Sequence, residues 1–162
     1  NDCISNRDKI ITDYRDDTKT IRNSSWFANK IPDNLKKRHV ELTGPGNSSK
    51  MVINAMNSTA NCYMLDIEDS MSPTWDNVVN AHKNILPAVA KTLTFETDKK
   101  KYEITNETPP ILHVRARGLH MHEHNVINKN NEPIQATLFD IGTHLFNNGK
   151  YMVDNNISYY LV

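Results

Sequence analysis

The sequence predicts an α/β protein laid out as the first half, about four strands, of an eight-stranded parallel barrel behind a short N-terminal lead-in. Three observations carry this. Cys62-Tyr63-Met64-Leu65-Asp66-Ile67 is almost wholly apolar, as a strand covered on both faces is. Trp75, Val78, Val79, His82, Ile85, Leu86 and Val89 then recur at helical spacing. Strand-like and helix-like segments alternate along the rest of the chain, the order that builds a parallel sheet. A complete barrel of this kind takes about 250 residues, and the 162 residues present leave room for half of one.

Composition narrows the function classes. Lys+Arg 19 balances Asp+Glu 19, so no net field draws the chain to nucleic acid or to an anionic membrane. Mean hydropathy is −0.63 and no apolar run reaches membrane-spanning length. Two cysteines, Cys3 and Cys62, are too few for a disulfide framework and point to a reducing, intracellular compartment. The start, Asn1-Asp2-Cys3-Ile4-Ser5, has neither an initiator Met nor a leader, and the end is an apolar strand. The sequence therefore reads as a fragment of a longer protein.

Residues 1–37 read as the lead-in, polar and anchored by Trp26, Phe27 and Ile31, with a short basic helix running through Arg38 after the Ile31-Pro32-Asp33-Asn34 turn. The barrel portion spans 38–162. Val40-Glu41-Leu42-Thr43 is a strand ended by Gly44-Pro45-Gly46-Asn47, and Met51 to Asn57 has helical spacing. After the apolar strand, Ser72 can cap a helix with Pro73 at its first position, and Pro87 bends or ends it. Leu93 to Ile104 forms a hairpin tipped by Asp98-Lys99-Lys100-Lys101. Ile111 to Ala116 is a strand, and Asn128-Lys129-Asn130-Asn131 a turn. Thr137-x-x-Asp140 resembles a capping box opening a helix that buries Leu138, Ile141, Leu145 and Phe146 and closes at Gly149. Asn156 to Val162 is the last strand.

Three clusters could carry chemistry. Asp66-Ile67-Glu68-Asp69-Ser70 ends the apolar strand just before a helix, where an α/β barrel keeps its active-site rim. Three carboxylates so close repel one another unless a cation or its bound water shares them; otherwise they are an acidic helix N-terminus. In His113-Val114-Arg115-Ala116-Arg117, alternation places His113, Arg115 and Arg117 on one face. A buried guanidinium there needs an anion: the Asp66 cluster, a carboxylate substrate or an enolate oxygen. His120-Met121-His122-Glu123-His124 could bind a transition metal on a strand, but Gly118 and the polar residues around it indicate a solvated loop. His82 reads as a core histidine. Five Asn-x-Ser/Thr triplets, at Asn23, Asn47, Asn57, Asn106 and Asn156, are the chance product of an Asn-rich chain.

At these motifs the sequence resembles the malate synthase family, its shorter A-type members in particular. The resemblance rests on Arg38-His39-Val40-Glu41-Leu42-Thr43-Gly44-Pro45, Lys50 to Asn57, Asp66-x-Glu68-Asp69-Ser70-x-Ser72-Pro73-Thr74-Trp75-Asp76-Asn77-Val78-Val79, Arg115-x-Arg117-Gly118-Leu119-His120, Leu138-Phe139-Asp140 and Tyr159-Tyr160-Leu161. It runs in order from about residue 30 to the end. It implies a TIM barrel acyltransferase of the glyoxylate cycle that condenses acetyl-CoA with glyoxylate and hydrolyses malyl-CoA to malate and CoA, with Mg²⁺ as cofactor. It further implies that Arg115 (alternatively Arg117) stabilises the enolate, that Asp66, Glu68 and Asp69 hold water on the metal, and that Ser70 lies near the acetyl-CoA chain. The family's direct Mg²⁺ ligands and its catalytic Asp match nothing up to Val162, so this chain alone is expected to be inactive. Leu86-Pro87 and the pair His122 and His124 depart from the family pattern. The resemblance also implies a peroxisomal, glyoxysomal or cytoplasmic home. A citrate-lyase-β-like carbon–carbon lyase is the alternative enzyme, disfavoured by the Pro73 to Val79 run, and a non-catalytic CoA- or metal-binding module is the alternative class.

Overall fold

The computed structural model describes residues 13–158 and 160–162. Cys3, the first twelve positions of the expected lead-in and Tyr159 of the expected last strand lie outside the described residues. The chain divides into two units between Pro32 and Asp33. In the first, a 3₁₀ turn (Asp16–Thr18) runs into one helical turn, α1 (Lys19–Arg22), and neither buries a residue. The expected anchors Trp26, Phe27 and Ile31 are exposed, because the described part of this unit has no buried surface to receive them.

The second unit starts with a 3₁₀ turn, Asp33–Leu35, in place of the basic helix expected through Arg38. Lys36-Lys37-Arg38 puts three cations in a row with no apolar stripe to bury, so no helix propagates. Strand β1 (Glu41–Pro45), helix α2 (Ser49–Met56), strand β2 (Cys62–Asp66) and helix α3 (Trp75–Val89) follow. A hairpin, β3 (Thr94–Thr97) and β4 (Lys100–Glu103), precedes strand β5 (Ile111–Arg115). A second hairpin, β6 (His122–Ile127) and β7 (Pro133–Gln135), leads into helix α4 (Ala136–Asp154). Among the described residues no helix is long and apolar enough to cross a membrane.

The strands β1, β2 and β5 make an open parallel sheet in that order, with Glu41, Cys62 and Ile111 in one register row and Pro45, Asp66 and Arg115 in another. Where a fourth strand was expected there is a single parallel bridge: Leu161 lies beside Val114, whose amide donates to the Tyr160 carbonyl and whose carbonyl accepts from Val162. One face of the sheet, through Tyr63, Leu65 and Val114, packs on Val52, Ile53 and Met56 of α2 and Val78, Ala81, Ile85 and Ala88 of α3. Gly46 makes the close approach possible, since a Cβ there would stand 2.5 Å from a Leu65 methyl and 2.9 Å from Ala81. The other face carries Glu41, Cys62, Met64, Asp66, His113 and Arg115.

Several helix boundaries differ from the sequence reading. Thr74, not Ser72, caps α3 by accepting from the Asn77 amide, so Pro73 lies outside the helix. Pro87 does not end it: in the last turn the missing N–H costs one bond, while the Pro87 carbonyl still accepts from Thr92 and Leu93. Lys91 closes the helix at φ 58°, in the left-handed region. In α4 the expected capping box does not form, because the helix already begins at Ala136 and the side chains concerned are used elsewhere. The Thr137 hydroxyl donates to the Arg117 carbonyl, and Asp140 binds Arg117. Nor does Gly149 close α4; Asn156, at φ 55°, does so with Ile157 donating back to Met152. The face α4 buries is Ala136, Asp140, His144, Asn148 and Met152, one residue per turn. Leu138, Leu145 and Phe146 are exposed and Ile141 only half-buried. A polar stripe is buried because partners wait for it across the helix interface.

Two of the Asn-x-Ser/Thr asparagines are structural. Asn57 accepts from the amides of Thr105 and Asn106 and donates to Glu103, and Asn106 donates to Met56 and Ser58, tying the first hairpin to the end of α2.

Candidate functional site

β2 and β5 end side by side, and their last residues, Asp66 and Arg115, are register partners. In parallel α/β sheets this carboxyl edge is where ligands bind. The Arg115 Nε and Nη2 donate to the two Asp66 carboxylate oxygens at 2.9 and 2.8 Å, a fork-to-fork pair. Nη2 also donates to Asp69 at 2.7 Å, and Nε lies 3.7 Å from a Glu68 carboxylate oxygen. The described hydrogen bonds of Arg115 thus use Nε and Nη2 and leave Nη1 uncommitted, with the side chain 23% exposed at the sheet edge.

Asp66 is fully buried and fully satisfied. Besides Arg115 it accepts from the Ser70 hydroxyl at 2.5 Å and from the amides of Glu68, Asp69 and Ser70, because the chain after β2 turns back over its carboxylate. Burial alone would raise the Asp66 carboxyl; Arg115, Ser70 and the amides outweigh it and hold the group below the usual carboxylate range. The same pairing raises the Arg115 guanidinium further, so it stays charged. Asp66 is therefore an orienting anion with no lone pair left for a cation, while Glu68 and Asp69 stand at the mouth, half-buried and exposed. A Cβ on Gly118 would meet a Glu68 carboxylate oxygen and the His120 ring, each at 2.6 Å, so this glycine lets both side chains reach the edge.

The remaining predicted residues separate. β5 stops at Arg115, alternation lapses, and Arg117 turns away from the site into the protein. There it is 2% exposed, donating its backbone amide, Nε and Nη2 to Asp140 and Nη1 to Glu123 at 2.8 Å. His82 Nε2 stands 3.2 Å from the same Asp140, so this core histidine belongs to a buried polar network rather than to an apolar face. Burial works against the Asp140 carboxylate, but His82 and Arg117 hold it below its ordinary range. The sequence reading missed this network; its signal was the i, i+4 row Asp140, His144, Asn148, which is polar where a core-facing helix is ordinarily apolar.

The segment expected as a loop at His120 to His124 becomes strand β6 from His122, paired with β7. His122 and His124 project outward with ring centroids 6.4 Å apart, and Glu123 turns inward to Arg117. The three histidines form no metal-capable group; among the described residues the one such group is Glu41, Cys62 and His113.

No family model matches the chain. Among curated proteins it is similar to the malate synthase of Myxococcus xanthus, 42% identical over 134 residues, which is 83% of this chain and 24% of that protein. It is 42% identical to the bifunctional glyoxylate cycle protein of Caenorhabditis elegans over 144 residues, 87% of this chain and 15% of that protein. The glyoxysomal malate synthase of Zea mays is 39% identical over 133 residues, 81% of this chain and 23% of that protein. The chain spans about a quarter or less of the length of these relatives.

Proposed function

The chain is a homologue of malate synthases over most of its own length, and on that premise we propose that the complete protein is a malate synthase, an acyltransferase of the glyoxylate cycle. It would join acetyl-CoA to glyoxylate and hydrolyse malyl-CoA to malate and CoA. The observation that carries the proposal is the Asp66–Arg115 pair: an oriented guanidinium at the carboxyl edge of a parallel sheet, with Nη1 uncommitted. In this reading the open sheet is the first part of a TIM barrel, and residues outside this chain close it.

The chemistry asks for such a group. A thioester α-proton is weakly acidic, and a carboxylate base removes it only if the developing enolate oxygen meets preorganised donors. Arg115 supplies the Nη1 hydrogens, and Asp66 fixes their direction, so little reorganisation accompanies the charge as it forms. The enolate carbon then attacks the glyoxylate aldehyde, and water releases CoA from the product. Arg117 does not take this role, because its donors are spent in the core. Ser70 orients Asp66 in this structure and is proposed to lie beside the CoA chain.

The donor set fits the outer waters of a hard cation. The Glu68 carboxylate accepts no hydrogen bond among the described residues, and Asp69 is exposed with its second oxygen open. Mg²⁺, held by ligands outside this chain, would polarise the aldehyde; Glu68 and Asp69 would receive hydrogen bonds from its waters. The name of the Zea mays relative supports a glyoxysomal or peroxisomal home, with the cytoplasm as the alternative. The test is CoA release by the full-length protein from acetyl-CoA, glyoxylate and Mg²⁺. Glyoxylate-dependent thiol release that falls at least 100-fold in Arg115→Lys supports the assignment, and the absence of such release in the wild type overturns it.

A further inference from the structure

At the opposite, amino-terminal end of the same sheet face, Glu41 opens β1, Cys62 opens β2, and His113 sits in the middle of β5. One ligand atom from each lies within 4.8 Å of the others. Cys62 is fully buried and His113 is 5% exposed. The His113 Nε2 is buried without a hydrogen-bond partner, and its Nδ1 is 3.8 Å from Glu41, too far for a hydrogen bond. An imidazole nitrogen left unpaired in a core keeps its full desolvation penalty. Glu41, for its part, is 41% exposed at the side chain, which leaves a route in from solvent.

We propose that Glu41, Cys62 and His113 form a binding site for a single thiophilic divalent cation, zinc by chemical class, that ties three neighbouring strands together. Thiolate, imidazole and carboxylate from three adjacent strands are a zinc donor set, and they select against Mg²⁺ and Ca²⁺, which take oxygen ligands. Tetrahedral coordination at ordinary bond lengths needs the three atoms to close by about 1 Å from the limit of their present spacing, within the reach of side-chain rotation. The thiolate and carboxylate together neutralise the ion, and its binding displaces the thiol proton to solvent. With three protein ligands the fourth position is left to water. This site is separate from the Asp66–Arg115 edge and does not depend on the malate synthase reading.

The experiment is a titration of the chelator-treated full-length protein with Co²⁺, followed by displacement with Zn²⁺. One equivalent of Co²⁺ should give a thiolate-to-metal absorption band in the near ultraviolet and visible bands of four-coordinate intensity. Zn²⁺ should abolish both and raise Tm. Glu41→Gln, at a partly exposed position, should fold normally, keep the thiolate band and weaken Zn²⁺ affinity at least 10-fold, and His113→Asn should weaken it further. Cys62→Ser should lose the band. Because Cys62 is buried and its serine variant could unfold, the Glu41→Gln and His113→Asn affinities decide that case. Absence of the thiolate band in the wild type overturns the site, as does Zn²⁺ affinity unchanged in Glu41→Gln and His113→Asn.

Discussion

Arg117 and Asp140, one just past the end of β5 and the other in the second turn of α4, meet in the core through three hydrogen bonds, each 2.9 Å long. Both side chains are at most 2% exposed. The pair anchors a helix whose inward face is polar, and Glu123 and His82 complete the coordination of its charges. Removing one partner leaves a buried charge uncompensated. Asp140→Asn is therefore expected to lower unfolding stability by about 3–5 kcal/mol, read from the urea midpoint at constant slope. A loss below about 1 kcal/mol would mean that α4 is held by its apolar ends, Ala136 and Met152, alone.

A pH dependence follows from His144, on the same face of α4. Burial, and the nearby His82, push its imidazole down to about 4. In the unfolded chain it titrates near 6.5. Above that pH both states are neutral and the contribution is intact. As pH falls from about 6.5 to about 4 the unfolded state takes the proton first, and stability declines by up to ~3 kcal/mol. Urea unfolding at pH 7 and pH 5 should show the decline, and His144→Gln should flatten it. A slope equal in wild type and variant would assign the effect to other groups.

Two glycines are expected to respond oppositely to alanine. Gly46→Ala drives a methyl into Leu65 and Ala81, where α3 crosses the end of β1, and should cost about 1–3 kcal/mol. Gly142→Ala, in the interior of α4 with nothing within 4 Å of the new methyl, should gain about 0.5–1 kcal/mol. Paired thermal melts check both, and a Tm change of the same sign in the two variants contradicts the packing described.

The two arginines should also separate by readout. Arg115→Lys keeps the charge but loses the fork to Asp66 and the aimed Nη1 hydrogens. If the complete protein is the malate synthase proposed above, this should lower kcat about 100- to 1,000-fold with a small change in the KM for acetyl-CoA and a Tm within a few degrees of wild type. Arg117→Lys should do the reverse, lowering Tm first, because its partners are buried in the fold. Equal falls in kcat and affinity in Arg115→Lys would remove Arg115 from enolate stabilisation.

Much of this architecture was readable in the residues. The apolar run of β2, the helical spacing of α3 and the hairpin with charge at its tip each declare themselves within a few positions, because burial and local hydrogen bonding set them. The Asp66–Arg115 pairing was legible as one of the partners open to a buried guanidinium. What failed were readings that required knowing the neighbour. Thr137-x-x-Asp140 has the spacing of a capping box, yet both side chains go to Arg117. Leu138, Leu145 and Phe146 look like a core stripe, yet they are exposed.

By itself, then, the sequence determined the order of β1, α2, β2, α3, the first hairpin, β5 and α4, the all-buried character of β2, and the presence of a carboxylate cluster and an arginine at the ends of two strands. Those features follow from periodicity, apolar content and charge, which act over a few residues. Tertiary structure alone decided that Arg115 and Arg117, two positions apart, serve different purposes. Where β5 ends, the chain leaves the ladder and is free to turn, and the carboxylate that captures Arg117 comes from a helix 23 residues away. It also decided that Glu41, Cys62 and His113 converge, since only the register of three parallel strands brings such distant positions onto one face, His113 lying two positions along β5 from the row that Glu41 and Cys62 share.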